Sequence, residues 1–132
     1  GAPGVFDISF RDELDALRMK LAGCRLAAYA DLSARMVLRV SAEAQPRREE
    51  IDVLCDLAAQ CLDGPAFPAL FDGEPPFTAV FAGKAESHFF IRSLSDPSDA
   101  LILIVAEPVA QAKIWAAAQD LLDRYGPGGE TP

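Results

Sequence analysis

Residues 100–106, Ala-Leu-Ile-Leu-Ile-Val-Ala, carry no polar side chain and show no alternation. A strand with one face in water alternates apolar with polar residues. A strand apolar on both faces therefore lies in the middle of a sheet that is covered on both sides. The run is far too short to cross a bilayer, which takes about 20 apolar residues in a helix. At 132 residues the chain is one domain, long enough to bury such a core.

Three stretches have helical periodicity. In 9–22, Phe10, Leu14, Leu17 and Leu21 form a narrow stripe, Ser9 is placed to cap with Asp12 in the capping-box position, and Gly23 ends the run. In 109–125, Ala110, Ile114, Trp115, Ala118, Leu121, Leu122 and Tyr125 share one side. The stretch 48–62 is different. Asp52, Asp56, Gln60 and Asp63 make a polar stripe of about 80°, and apolar residues fill an arc of about 240°, where a helix on a single core needs about 100°. Such a helix needs cover on two sides. One cover is its own sheet. The other is a second chain or, in the blander reading, the loop that follows it.

Strands are expected at 25–31 and 36–42, close enough to form a hairpin across Leu32-Ser33-Ala34-Arg35, and at 77–82, 88–94 and 100–106. The strand from Phe77 has no charge before Lys84, so at a sheet edge nothing in it would deter pairing with another strand. The proline-rich connection 64–76 carries Phe67, Leu70 and Phe71. It either packs down on the body or offers those side chains to a partner. Residues 1–8 read as an N-terminal extension, 9–125 as the domain, and 126–132 as a loose tail.

The charge of −8 excludes nucleic acid and anionic membrane as partners, since both call for clustered Lys and Arg. Gly1 to Asp7 lacks a basic region followed by an apolar one, so no signal peptide and a cytoplasmic location are expected. Cys24, Cys55 and Cys61 form no C-x-x-C pair, and His88 is the single histidine, which leaves zinc without a ligand set. No phosphate-cradling glycine motif is present. Ser87 and His88, adjacent in a strand, point to opposite faces and make a poor nucleophile pair. Asp52, Asp56 and Asp63 share a helix face and would hold a metal only with a further ligand; a solvated stripe is the simpler reading. Tyr29 and Trp115 read as core or rim aromatics. No catalytic residue, cofactor or metal is expected, and the chain does not read as an enzyme.

The order helix, two strands, helix, three strands, helix, with an apolar last strand, resembles the roadblock-type dynein light chain family. Residues 28–41 are similar to that family's first hairpin, with Asp31 at the usual aspartate. Thr-Ala-Val-Phe-Ala-Gly at 78–83 is similar to its third strand and closing glycine, and 88–94 and 101–108 to its last two strands. Ala34 stands where the family often has glycine, and 64–76 is longer than usual. The resemblance implies an α/β (α+β) fold: a five-stranded antiparallel sheet with one helix on one face and two on the other, roadblock/profilin-like. It also implies a homodimer through the middle helix and third strand, with a continuous ten-stranded sheet. Such dimers are platforms for small Ras-like GTPases or motor subunits, and some bacterial members stimulate GTP hydrolysis by a partner. The interface residues expected here are Val53, Leu57, Gln60, Cys61, Thr78, Val80 and Ala82. The alternative is a PAS- or profilin-like sensor holding a small ligand between sheet and helix, with Phe67, Leu70 and Phe71 on a lid.

Overall fold

The computed structural model describes residues 8–125; the expected extension and loose tail at the termini lie outside the described residues, apart from residue 8. The elements are α1 (Ile8–Lys20), β1 (Cys24–Asp31), β2 (Met36–Ala42), α2 (Arg48–Asp63), β3 (Thr78–Ala82), β4 (Glu86–Arg92), β5 (Asp99–Ala106) and α3 (Gln111–Tyr125), with a short 3-10 turn at Phe67–Leu70. Helix α1 starts at Ile8, so Ser9 lies in its first turn and not ahead of it as a cap, and it ends at Lys20, two residues short of the expected 22; β4 begins two residues before His88 and ends at Arg92. The sheet order is β2-β1-β5-β4-β3, every neighbouring pair antiparallel.

Strand β5 is central, and every residue from Asp99 to Val105 is buried. Leu101, Leu103 and Val105 meet Phe10, Leu14, Ile114 and Leu121 of α1 and α3, while Ala100, Ile102 and Ile104 meet Leu54, Ala58 and Leu62 of α2. Two helices thus cover one face and one helix the other, as the resemblance implied. Burying side chains of this size stabilises a fold by roughly 1.5–3 kcal/mol each, so these two layers dominate the stability.

Two glycines shape the helix ends. Gly23 takes φ +77° to turn the chain from α1 into β1. A Cβ at Gly64 would stand 2.2 Å from the Gln60 carbonyl oxygen, so only glycine fits where α2 stops. The β1–β2 turn is organised by Asp31, whose carboxylate accepts from the Ser33 hydroxyl at 2.7 Å and the Ser33 and Ala34 amides at 3.0 and 3.2 Å. The Ser33 hydroxyl leads in holding the Asp31 carboxyl below the usual range. The left-handed residue of this turn is Arg35 (φ 53°), one position after the alanine at which the family often has glycine. A left-handed L-residue is strained by about 1–2 kcal/mol, part of which glycine returns as unfolded-state entropy. Arg35→Gly is therefore expected to stabilise the protein by about 0.5–1 kcal/mol. A urea midpoint raised at unchanged slope would show it, and a lowered midpoint would refute it.

Candidate interaction surface

Helix α2 settles on the sheet through Leu54, Ala58 and Leu62, and its own chain also buries Cys55, Ala59 and Cys61. That accounts for most of the wide apolar arc. What remains outside is a strip holding Val53, 56% exposed, and Leu57, 39% exposed, with Gln60 exposed further along the helix. Of the four α2 residues expected at an interface, three therefore lie at the surface and Cys61 lies inside.

Strand β3 is an edge strand, paired only with β4 among the described residues. Its hydrogen-bond phase is set at both ends. The Arg92 amide donates to the Phe77 carbonyl at 2.7 Å, and the Gly83 amide donates to the Glu86 carbonyl at 2.8 Å. In an antiparallel ladder, bonded and non-bonded pairs alternate, so residues 77, 79, 81 and 83 exchange bonds with β4. Thr78, Val80 and Ala82 then turn their amides and carbonyls outward to the open edge. Their contribution there is backbone, because Thr78 and Val80 are half-buried and Val80 packs with the α1/α3 core.

The exposed side chain of β3 on the α2 face is Phe81, which rests edge-on against Phe90 with ring centroids 5.9 Å apart and is itself 50% exposed. Sequence reasoning missed it. Both residues of the alternation were visible, but not which of them would face α2. His88 lies directly across from Phe81 on β4 and from Ile104 on β5. It is half-buried in a groove of about 300 Å³ whose walls include Val53, Leu57 and Ile104. Burial leads in holding its imidazole pKa below the ordinary value, so it is neutral at pH 7. The rim carries the Arg25–Glu86 pair, two bonds of 2.9 Å each. Being partly exposed, such a pair adds little stability. The surface is thus an apolar strip, Val53, Leu57 and Phe81 around a neutral histidine, beside an uncharged sheet edge and bordered on the α2 side by the charged Arg47, Glu49 and Glu50.

The connection 64–76 does not pack down by burying its apolar side chains. Phe67, Leu70 and Phe71 all stay exposed. The segment is held by backbone bonds instead: the Phe71 and Gly73 amides donate to the Pro68 carbonyl, and the Arg92 guanidinium donates to the Pro76 carbonyl. Arg92, 4% exposed, is the second residue that sequence reasoning missed. It also donates to the Pro97 carbonyl at 2.7 Å, to the Asp63 carboxylate at 2.7 Å and to the Leu62 carbonyl. One side chain ties the end of α2, the entry to β3 and the β4–β5 turn together.

The other chemistry-bearing residues have structural surroundings. The Ser87 hydroxyl is buried and donates to the Glu107 carboxylate. Asp52 and Asp56 are exposed, and Asp63 pairs with Arg92. The three cysteines are free and buried, and burial raises each thiol pKa. Among the described residues no group of three or more His, Cys, Asp or Glu could hold a metal ion, and no helix is long and apolar enough to cross a membrane.

The element order and sheet topology are those of a roadblock-type fold. No family model matches the sequence, and no curated protein matches it. Solved structures do match in shape. The Roadblock/LC7 domain from Streptomyces avermitilis superposes with a TM-score of 0.70 at 14% identity, over 86% of this chain and 91% of that one. Myxococcus xanthus MglB also gives 0.70, at 15% identity over 90% and 95%. The gliding protein MglB from Thermus thermophilus gives 0.67, at 21% identity over 88% and 87%. At such identities the likeness establishes the fold, and the chain has the roadblock fold.

Proposed function

We propose that two copies of this chain pair through α2 and the open edge of β3, and that the dimer is a cytoplasmic, non-enzymatic platform for a small Ras-like GTPase. The observation that carries the pairing is the coincidence of exposed Val53, Leu57 and Phe81 with an edge strand whose outward backbone groups belong to Thr78, Val80 and Ala82. A two-fold axis at Val80 satisfies all three residues at once: Val80 faces its own copy, and Thr78 faces Ala82 of the second copy. Five strands become ten, and the two α2 helices meet across the axis on one side of the sheet. The GTPase is what the roadblock resemblance implies, and the roadblock fold supports it.

Light scattering during gel filtration tests the pairing. The wild-type chain is expected at two-chain mass at micromolar concentration. Leu57→Asp is expected to weaken dimerisation about tenfold or more, because it would bury an unpaired carboxylate. A one-chain mass for the wild type at about 100 times that concentration removes the dimer reading. For the partner, the test is binding to, and hydrolysis by, the Ras-like GTPases of the same cell, each loaded with GTP or GDP. If none binds, the dimer stands and the GTPase part falls.

The small-ligand alternative has less support. Leu54, Ala58, Leu62, Phe90 and Ile102 fill the space between α2 and the sheet, and the 64–76 segment is tied down through Arg92.

A further inference from the structure

One cleft includes no residue of α2 or β3. It lies on the side of the sheet that α1 and α3 cover, where α1 ends and α3 begins, and has a volume of about 250 Å³. Its apolar lining includes Leu21, Val105, Val109 and Ile114. Val105 and Ile114 belong to the core, while Leu21 and Val109 pack against it and stay only partly buried. Two cations share that lining, Lys20 at the end of α1 and Lys113 in the first turn of α3.

Lysine is scarce in this chain: there are three, and two of them line this one cleft. None of the 20 acidic residues does, although the net charge is −8. Glu107, the acidic residue next to the lining in sequence, accepts a bond from the Ser87 hydroxyl. Among the described residues neither Lys20 nor Lys113 is in an ion pair. Two uncompensated cations at a cleft with apolar walls concentrate a positive field there and draw an anion. We propose that the cleft binds a small organic acid, its carboxylate between Lys20 and Lys113 and its apolar body against Leu21, Val105, Val109 and Ile114. A carboxylate has two oxygens and can accept a bond from each ammonium. At about 250 Å³ the cleft falls below the roughly 300–1,000 Å³ of pockets for drug-sized ligands, so the acid is a short aliphatic or single-ring one. A nucleic acid or anionic membrane would need a run of cations, and here there are two around an apolar floor. The site is complete in one chain and stands or falls apart from the dimer.

Octanoate, with about ten non-hydrogen atoms, is the probe, and its Kd is expected to be millimolar or tighter. In methyl and amide NMR spectra it should shift Leu21, Val105, Val109 and Ile114. Octanol, with the same body and no charge, should bind about fivefold more weakly or worse, and octylammonium should leave these signals in place. Both lysines are exposed, so the double variant Lys20→Gln, Lys113→Gln should keep the urea midpoint. It should weaken octanoate about tenfold and leave octanol unchanged. The double arginine variant, which keeps both charges, should retain most of the affinity. The proposal is overturned if octanoate binds no better than octanol, if its shifts fall elsewhere, or if the double glutamine variant binds it like the wild type.

Discussion

Arg92→Met is expected to destabilise the fold by about 3 kcal/mol or more, a large share of a small domain's stability. Methionine keeps much of the length and the apolar stem of arginine, so the loss comes from the guanidinium. Its removal leaves the Leu62, Pro76 and Pro97 carbonyls without their donor and Asp63 without its cation. Unsatisfied buried polar groups cost about 1–3 kcal/mol each, and the buried charge that disappears returns only part of that. Lysine cannot replace the planar fork, since one ammonium does not reach acceptors on three different segments. Asp63→Asn should cost only about 1 kcal/mol, because that carboxylate is 43% exposed. Urea unfolding gives the magnitudes, and amide exchange at Gly73 and Glu74 shows whether the connection loosens ahead of the core. A methionine variant within about 1 kcal/mol of the wild type would refute the assignment. Because Arg92 fixes both the end of α2 and the entry to β3, the variant should also dimerise less well.

How much of this was legible in the chain can be judged residue by residue. The 100–106 run announced the central strand because both its faces are apolar, and no other strand in the sheet is buried so completely. The wide arc of α2 announced excess apolar surface, and Val53 and Leu57 are where that excess emerges. The arc did not reveal that Cys61 turns inward, since a helical wheel gives angles and not the position of the sheet. On β3 the uncharged strand was plain, but the phase that decides which of its residues face α2 was not. The phase depends on two backbone bonds, at Phe77 and Gly83, whose partners lie on another strand, and so Phe81 was overlooked. Arg92 was a lone cation in an apolar strand. That is a recognisable sign of a buried charge, but three of its four acceptors are carbonyls, which no side-chain pattern records. Asp99 fell just outside the strand expected at 100–106; it is instead the first residue of β5 and completely buried.

That burial makes the stability of Asp99→Asn relative to the wild type depend on pH. Asp99 is paired across the β1–β5 ladder with Asp31, and the buried Tyr29 hydroxyl is its hydrogen-bond donor. Burial raises the Asp99 pKa to about 6, against the opposing pull of the Tyr29 bond, and neighbouring Asp96 pushes it the same way as burial. Burial first, then Asp99, likewise drives the Tyr29 pKa upward, so the phenol keeps its proton. With the unfolded carboxyl near 3.9, the folded state takes up a proton between about pH 4 and 6. This contribution is present in full below about pH 4 and is lost as pH rises through 6. At about 1.4 kcal/mol per unit, the wild type gives up on the order of 2–3 kcal/mol by pH 7.5. Asparagine keeps the shape and an acceptor for Tyr29 but carries no charge, so it escapes the loss. The variant should therefore come within about 0.5 kcal/mol of the wild type near pH 4 and exceed it by about 2 kcal/mol or more at pH 7.5, with most of the gap opening between pH 4 and 6. Taking the difference between the two proteins cancels the titration of every other carboxylate, including Asp31 and Asp96, to the extent that Asp99 does not perturb them. A difference that stays flat from pH 4 to 8 would mean that the Asp99 carboxyl titrates alike in the folded and unfolded chain, which its burial in the β1–β5 ladder forbids.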